Sequence, residues 1–512
     1  MPPEQEVTGS NPVGRTLTNN RKEEKMKNDI ILTFLIVSAI FIGGCSKKIS
    51  DRMEYSTTSS SAAGLINTGL RYQDNFAFEQ ARRTFQKAID EDPEFAFAYY
   101  CLAWITPDRI KRDALVEEGE KYLQTANKGE RVMLDAMIES LAGADVNWLK
   151  WLQNFTQLYP KEIRYINLLG NFANGDGDIE KAESYYKKSL EIEENADALN
   201  SLAYLYTGQG KMNEAKVVLD RQIAVGGDLA NPYDSMGDYY LEKKDNQKAK
   251  EYFNKALRND AEFTMSKRKI WRIEQEEAGN KVEPMEWSSD SANAVSAFRT
   301  GVWQFYNIHW DKAREKFEEA IKIDPLFAMP YLYLVLTPGD SIRSEDAKRI
   351  AEGLSSSTNS FEKALIDLNI FRRENPEADL TPKINRLKSQ YPTELLVMIQ
   401  EAGNFFRKDE FEKASNIYTN IWERFDFVPA LNMIGYSNMR AGNMTVAKEA
   451  FSDYITNNGG HANPYDSMGE YLENIEDYES AYDYYMMAYT VDSTFAVSKE
   501  RAEAVKKKIQ TK

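Results

Sequence analysis

The chain has 512 residues, of which 42% are hydrophobic and 28% charged, a composition typical of a folded protein with a large apolar core. Its net charge of −16 repels nucleic acid and anionic lipid surfaces, and we interpret this acidity chiefly as a means of keeping a large protein soluble. Two cysteines and two histidines argue against a disulfide framework and against a zinc site of clustered Cys and His ligands.

Residues 1–25 carry no pattern of a folded segment. The run from Gly9 to Gly14 matches the translation of a transfer-RNA TψC arm. We therefore interpret 1–25 as a wrongly chosen gene start, disordered in the protein, with Met26 as the true first residue.

Residues 26–44 have the parts of a secretory signal peptide, namely a basic start and an uncharged apolar stretch. The apolar stretch, from Ile30 to Ile42, is shorter than the roughly 20 residues of a membrane-spanning helix. Two glycines then precede Cys45, and this ending resembles the bacterial lipobox. The resemblance implies that Cys45 is lipidated and becomes the new N-terminus; an uncleaved anchor helix is the alternative.

The next segment, 45–61, is rich in serine and threonine, and we expect it to be a flexible tether between the lipid and the first helix.

An internal duplication dominates the rest of the chain. The run from Ala230 to Gly237 recurs letter for letter from Ala462 to Gly469, so that each residue matches the one numbered 232 higher. Other residues match at the same offset, such as Phe85 with Phe317. The chain is therefore built from two related halves.

A shorter period lies within each half, as from Ala215 to Ala249 and from Ala447 to Ala481. Small residues, an aromatic residue and a closing proline recur within this period; in the first unit they are Gly69, Ala81, Phe85, Ala88 and Pro93. This pattern resembles the tetratricopeptide repeat, a helix–turn–helix unit of about 34 residues. The resemblance implies an all-α fold, an α-solenoid of helical hairpins, and binding of a peptide or protein in a groove lined by the first helix of each hairpin.

We predict a first repeat half at 62–278, a linker at 279–291 and a second repeat half at 292–512. Each half is expected to hold about six hairpins, because small residues let two helices cross closely and stacked hairpins bury one another's apolar faces. A charged helix near 264–278, and another near 496–511, is expected to cap each half. Thr106-Pro107 and Thr337-Pro338 interrupt the helical phase and predict degenerate hairpins.

The sequence contains no phosphate-binding G-x-x-x-x-G-K-[ST] loop, no H-E-x-x-H and no G-x-S-x-G. We therefore predict a protein that is not an enzyme and that uses no cofactor and no metal. His309, which lies near a predicted turn, is expected to pack against its neighbours, and Cys101 is expected to be a buried small hydrophobic residue.

The resemblance places certain polar residues on the groove side of the first helices, where they could hydrogen-bond an extended peptide or its basic side chains. The basic clamp with which some family members hold acidic C-terminal tails is missing at these positions, so an acidic tail is a poor candidate ligand. The groove residues are Asn167, Asn171, Asn200, Tyr204, Asp234, Asp238 and Glu242, then Asn432, Tyr436, Arg440, Asp466, Glu470 and Glu473.

The repeated Asn-Pro-Tyr-Asp segment has a simpler interpretation as a helix start. Asn231 is expected to cap a helix, Pro232 to occupy its first turn, and Asp234 to lie near the positive end of the helix dipole. Asn463 and Pro464 are expected to repeat this arrangement.

These features favour a membrane-anchored scaffold that binds a protein or peptide partner in the bacterial cell envelope, on the periplasmic face or at the outer membrane. A lipoprotein that captures a ligand such as an oligosaccharide on exposed aromatic side chains is an alternative, and a signalling input arm that acts with a separate output protein is another. The candidate aromatic residues are Trp148, Trp151, Trp303 and Trp310.

Overall fold

A computed structural model of the chain describes residues 51–280, 286–339 and 341–511. Within these ranges the chain folds into 26 α-helices and two short 3₁₀ turns, with no strand, so the predicted all-α class is confirmed.

Thirteen of these helices lie in the first half, as six hairpins and one further helix. They are α1 Ser60–Asp74, α2 Phe78–Glu91, α3 Ala96–Trp104, α4 Arg109–Glu120, α5 Lys128–Leu141, α6 Trp148–Leu158, α7 Ile163–Gly175, α8 Ile179–Ile192, α9 Ala196–Gly208, α10 Met212–Gly226, α11 Asn231–Glu242, α12 Asn246–Asn259 and α13 Thr264–Glu277.

The second half repeats this order of helices. It contains α14 Ala292–Tyr306, α15 Trp310–Ile323, α16 Ala328–Leu336, α17 Ser341–Leu354, α18 Ser360–Glu374, α19 Thr381–Gln390, α20 Leu395–Arg407, α21 Phe411–Phe425, α22 Pro429–Ala441, α23 Met444–Asn458, α24 Ala462–Asn474, α25 Tyr478–Val491 and α26 Ala496–Thr511.

Glycine and an aromatic ring set the distance at which the two helices of a repeat hairpin cross. A Cβ atom on Gly69 would lie 2.3 Å from the ring of Phe85, and one on Gly237 would lie 2.3 Å from the ring of Phe253. No side chain fits at such a distance, so only glycine permits the observed crossing. The same relationship holds for Gly170 and Tyr186, Gly301 and Phe317, Gly435 and Phe451, and Gly469 and Tyr485.

The aromatic rings at these crossings are fully buried, as are the alanines that flank them on the second helix. Phe85, Ala81 and Ala88 have no exposed surface. Burying one phenylalanine side chain contributes roughly 2–3 kcal/mol, so the ring both fixes the crossing and stabilises it. Stacked hairpins continue this core along each half, as the repeat pattern predicts.

The Thr-Pro sequences end helices where the sequence predicts an interruption. Helix α3 stops at Trp104, and α4 begins at Arg109 after Pro107. The Asp108 side chain caps α4 by accepting a hydrogen bond from the amide of Lys111 at 3.2 Å. Asp108 also contacts the second half, and this contact is described below.

The two halves touch at two places within the compact unit Arg52–Lys512. Helix α13 packs on α21, with the Trp271 and Phe425 ring centroids 5.6 Å apart and Arg268 paired with Asp426 at 2.8 Å. The start of α4 meets the turn before α24, where the amide of Arg109 donates to the carbonyl of Gly459 at 2.9 Å. Side chains from both halves therefore join them.

Candidate functional site

The groove face is defined here as the side of α7, α9, α11, α22 and α24 that carries the predicted groove residues. Hydrogen bonds between polar side chains about one repeat apart in sequence join the first helices of adjacent hairpins there. Asn167 donates to Asp197 at 2.9 Å, the Ser235 hydroxyl donates to Asn200 at 2.7 Å, and the Tyr204 hydroxyl donates to Asp238 at 2.6 Å. These bonds hold successive hairpins in register.

Lys269 offsets one of the two negative charges that Asp234 and Asp238 bring to the groove face in the first half. It extends from α13, and its ammonium lies 2.6 Å from Asp234 and 2.7 Å from Asp238. The Ser266 hydroxyl donates to the other oxygen of Asp234 at 2.7 Å. Burial raises the pKa of Asp234, whereas the ammonium of Lys269 opposes that rise.

The second half repeats this cluster position by position. Arg501, from α26, pairs with Asp466 at 2.6 Å and with Glu470 at 3.1 Å. The Ser498 hydroxyl donates to Asp466 at 2.6 Å, and the Tyr436 hydroxyl donates to Glu470 at 3.1 Å. The same five kinds of side chain therefore occupy equivalent positions in the two halves: a tyrosine, two acids, a serine and a cation. We call each set a groove cluster.

The sequence predicted the acids and tyrosines of the groove clusters but not Lys269 and Arg501, each of which pairs with two acids. The signal was present, since both cations lie three residues after the serines Ser266 and Ser498, which match at the duplication offset. With two carboxylates and one cation, each cluster keeps one excess negative charge. The predicted absence of a basic clamp concerned the groove positions of the hairpins, whereas these cations come from the capping helices and are already paired with the acids.

The other predicted groove residues lie outside the two clusters. Asn171 is exposed and accepts hydrogen bonds from the Tyr186 hydroxyl at 2.8 Å and the Ser201 hydroxyl at 3.3 Å. Glu242 and Arg440 lie near the ends of α11 and α22, and both are exposed. Glu473 accepts the Tyr485 hydroxyl at 2.8 Å and pairs with Lys508 at 2.8 Å, and Asn432 is buried.

Burial changes the acid–base behaviour of the groove face near its start. Burial and the neighbouring carboxylate of Asp74 raise the pKa of Asp197 to about 7. Arg164 binds Asp74 with its Nε 2.8 and 2.9 Å from the two carboxylate oxygens. Most acids of the groove face are therefore bonded to other side chains, whereas the side-chain oxygens of Asn167 and Asn432 are buried without a hydrogen-bond partner.

The prediction that Asn231 caps a helix is wrong. Helix α11 begins at Asn231 itself, with Ala230 in the capping position and no side-chain cap. The side-chain nitrogen of Asn231, Nδ2, instead lies 3.5 Å from the side-chain oxygen of Asn75, at the end of α1. Pro232 does occupy the first turn, as predicted.

Asn463 likewise does not cap α24. Its side chain donates to the Tyr454 hydroxyl at 3.0 Å, and that hydroxyl donates to Asn307 at 3.0 Å. Asn307 also accepts from Asn458 at 2.7 Å. In both halves the repeated asparagine therefore ties the end of the first helix to a turn several hairpins later, a long-range role that a local capping pattern does not reveal.

The candidate tryptophans pack on other rings of the chain. Trp151 stacks on Phe155 with ring centroids 4.9 Å apart, Trp148 meets Trp104 edge to face at 5.5 Å, and Trp310 lies 5.3 Å from Phe305. Trp303 contacts His461 at 5.1 Å. Because each of these rings packs on another ring of the chain, they are poor candidates for an open aromatic platform that binds a sugar.

The predicted signal peptide and Cys45 lie outside the described residues. No helix among the described residues is both long enough and apolar enough to cross a membrane.

Hairpins of this geometry define a class of helical repeat protein, and a comparison with protein-family models identifies the repeat. Residues 163–195 and 230–263 match the tetratricopeptide repeat family. The chain therefore contains tetratricopeptide repeats, as predicted. Such repeats indicate a protein-interaction scaffold, a fold that is typically not enzymatic.

Several solved structures are similar to the chain at low identity. The tetratricopeptide domain of P58(IPK) is 14% identical, covers 88% of this chain and 100% of its own, and has a TM-score of 0.21. The Cut9–Hcn1 complex of the APC/C is 12% identical, covers 88% of this chain and 97% of its own, and has a TM-score of 0.30. The repeat protein TTC0263 of Thermus thermophilus is 15% identical, covers 41% of this chain and 98% of its own, and has a TM-score of 0.25. TM-scores this low support no further argument, and no curated protein sequence matches the chain.

Proposed function

We propose that the chain is a lipid-anchored scaffold of the bacterial cell envelope that binds a protein partner on the groove face. The supporting observation is the repeated groove cluster, in which a tyrosine and two acids surround one cation in each half. The excess carboxylate of each cluster suits a partner that presents a lysine, an arginine or backbone N–H groups.

Tyr204 and Tyr436 are the side chains through which we expect the partner to be held. The Tyr204 side chain is 45% exposed although its hydroxyl is bonded to Asp238, so its ring face is available for contact. Aromatic side chains with a fixed orientation contribute strongly to protein interfaces, because little conformational entropy is lost when they bind. Tyr436 is only partly exposed and meets the Phe451 ring edge to face at 5.2 Å, so it would give the partner a smaller second attachment point.

The lipid anchor rests on the sequence around Cys45. It would hold the groove clusters near the membrane surface and so limit the partner to envelope proteins. The tether is shorter than the predicted 45–61, because Met53, Ser56 and Thr57 are hydrogen-bonded to the first half and α1 begins at Ser60. Ligand capture is the less favoured function, because the candidate tryptophans are engaged in packing.

Affinity capture from envelope extracts tests the proposal. The full chain in detergent should recover a reproducible protein partner, and recovery should fall at least tenfold when Tyr204→Ala and Tyr436→Ala are combined. Val217→Ala, a change at a 60% exposed site on the second helix of its hairpin, is the matched control and should leave recovery unchanged. Equal recovery by the tyrosine variant and the control would exclude the groove clusters as the binding site.

A further inference from the structure

In the second half, a pocket between α25 and the turn before α24 is filled by the start of α4 from the first half. Besides the bond from the Arg109 amide to Gly459, the Arg109 guanidinium donates to the carbonyl of Val491 at 3.0 Å. The Tyr465 hydroxyl donates to Asp108 and lies 3.0 Å from the carbonyl oxygen of Gly459. We call this pocket the occupied socket.

The fit of the α4 start in the occupied socket is close. Ile110 packs against the apolar cluster that contains Tyr465 and Tyr484. A Cβ atom on Gly459 would lie 2.5 Å from the Cα of Asp108, so a glycine is needed for the segment to approach. The occupied socket therefore contacts the backbone of this segment, the carboxylate of Asp108 and the aliphatic side chain of Ile110.

The matching positions in the first half surround an open cavity of about 480 Å³, which we call the open socket. Ile223, Tyr233 and Tyr252 line it and correspond to Ile455, Tyr465 and Tyr484 at the duplication offset. Gly227 stands where Gly459 stands in the second half. The chain thus carries two copies of one socket, one filled by its own segment and one with a cavity.

The two sockets differ in charge. Met487, Thr490 and Val491 of the occupied socket correspond to Lys255, Arg258 and Asn259 in the open socket. Lys255 lies over the Tyr252 ring with its nitrogen 4.0 Å from the centroid, and it also pairs with the exposed Glu251. One acid, Asp220, lines the cavity and is bonded to Lys216. Val491, which Arg109 meets, corresponds to the neutral Asn259, whose side chain donates to the carbonyl oxygens of Gly227 and Leu229 at 2.9 Å. Lys255 and Arg258 beside Asn259 make this wall cationic in the open socket.

A second copy of the chain is a poor occupant for the open socket. The contact between halves has a second part, in which Arg268 and Trp271 meet Phe425 and Asp426. The α4 start of a second copy already fills that copy's own occupied socket, so a second copy would have to present the equivalent start of α17. Docking that segment in the same geometry would replace these four residues by their counterparts, and all of the counterparts are acids. They are Glu500, Glu503, Glu193 and Glu194. Like charges at close range oppose such an interface.

We propose that the open socket binds a partner protein at an acidic helix start, in the way that Asp108 to Ile110 occupies the other socket. The partner's first carboxylate would meet the Tyr233 hydroxyl, a second carboxylate would meet Arg258 and Lys255, and an aliphatic side chain would pack on Ile223 and Tyr252. This site lies on α10, α12 and the start of α11 and uses none of the residues of the groove clusters. It is therefore a second interaction surface that does not depend on the proposed function.

The test uses two fluorescein-labelled peptides and the full chain in detergent. One peptide has the sequence of residues 106–120; the other carries Arg109→Glu, which places a carboxylate opposite Arg258. Fluorescence anisotropy should show saturable binding of the acidic peptide, at least tenfold tighter than that of the unchanged peptide. Asp108→Ala in the acidic peptide should weaken binding by a similar factor.

Protein variants then locate the site. Arg258→Glu and Tyr233→Phe should each weaken binding of the acidic peptide about tenfold, whereas Val446→Ala, at a 45% exposed site on α23, should leave it unchanged. Two different substitutions guard against one that merely disturbs folding, which circular dichroism would reveal. Absence of saturable binding, or binding that Arg258→Glu leaves intact, would overturn the proposal. Dimers in sedimentation that Arg258→Glu dissociates would overturn the choice of occupant.

Discussion

His309 and His461, the two histidines of the chain, lie with their ring centroids 4.8 Å apart although several hairpins separate them in sequence. His309 precedes α15 and His461 precedes α24, so the pair joins the first hairpin of the second half to a late turn of the same half. The equivalent pair in the first half is Ala77 and Leu229, both buried and apolar. The same junction is thus built once from ionisable side chains and once without them.

This pair predicts a stability that depends on pH. Burial lowers the pKa of His309 to about 4, with further contributions from His461 and Lys312, and burial also lowers that of His461 to about 4. Asp492 opposes both shifts. The pKa values of both histidines in the folded state lie below the unfolded-state value near 6.5. The unfolded state therefore binds more protons than the folded state between pH 4 and pH 6.5. The contribution of the pair is therefore complete above about pH 6.5 and is lost as pH falls towards 4.

The double variant His309→Ala and His461→Leu, which copies the first half, isolates this effect. Urea midpoints at pH 7 and pH 5 should differ more in the natural chain than in the variant, since each pKa unit is about 1.4 kcal/mol per histidine. Carboxylates titrate in both proteins and cancel in the comparison. An equal loss of stability in the two proteins would show that the histidine pair does not titrate in this range.

Lys269 is expected to stabilise the first half by neutralising buried Asp234. Lys269→Met should cost about 3 kcal/mol, because it leaves a buried carboxylate without its cation. Lys267→Met is the matched control in the same helix: that ammonium lies 3.7 Å from Glu262, which is 85% exposed, and its loss should cost less than about 1 kcal/mol. Adding Asp234→Asn to Lys269→Met should recover part of the stability. Equal urea midpoints for the two single variants would refute the structural role of this ion pair.

Gly69→Ala is expected to destabilise the first hairpin by about 2 kcal/mol, since the added methyl group meets the ring of Phe85. Gly64→Ala, in the same helix, adds a methyl group with no atom within 4 Å and should be neutral or stabilising by up to about 1 kcal/mol. Thermal melting of both variants measures the contrast. A Gly69→Ala protein as stable as Gly64→Ala would mean that the crossing adjusts freely.

Cys45→Ala tests the lipid anchor in cells. The change should move the protein from the membrane fraction to the soluble fraction and abolish incorporation of labelled fatty acid. Ser46→Ala, at the neighbouring position, serves as the control and should remain in the membrane fraction. Retention of the Cys45 variant in membranes would favour an uncleaved anchor helix.

The hairpin fold was predictable because its determinants are local. Gly69, Ala81 and Phe85 recur at a fixed spacing, and close helix crossing needs those side-chain sizes at that spacing. The predicted groove residues also fall together in part, since Tyr204, Asp234 and Asp238 follow from the same repeat positions.

What the sequence did not reveal depends on distant segments meeting. Lys269 reaches the groove face because the capping helix α13 packs there, and the pattern within one hairpin does not contain that contact. Asn231 was interpreted from its neighbours as a helix cap, whereas its partner Asn75 lies 156 residues away. Local rules explain a hairpin, and only the packed chain shows which hairpins meet.

The central claim, that a protein partner lies on the groove face, is tested most directly by site-specific photocrosslinking in cells. A photoreactive phenylalanine analogue would replace Tyr204 or Tyr436, and Val217 as the control on the second helix of a hairpin. We expect one discrete crosslinked protein common to both tyrosine positions and none at Val217. Adducts at Val217 that equal those at the tyrosines, or no adduct at either tyrosine, would contradict the claim.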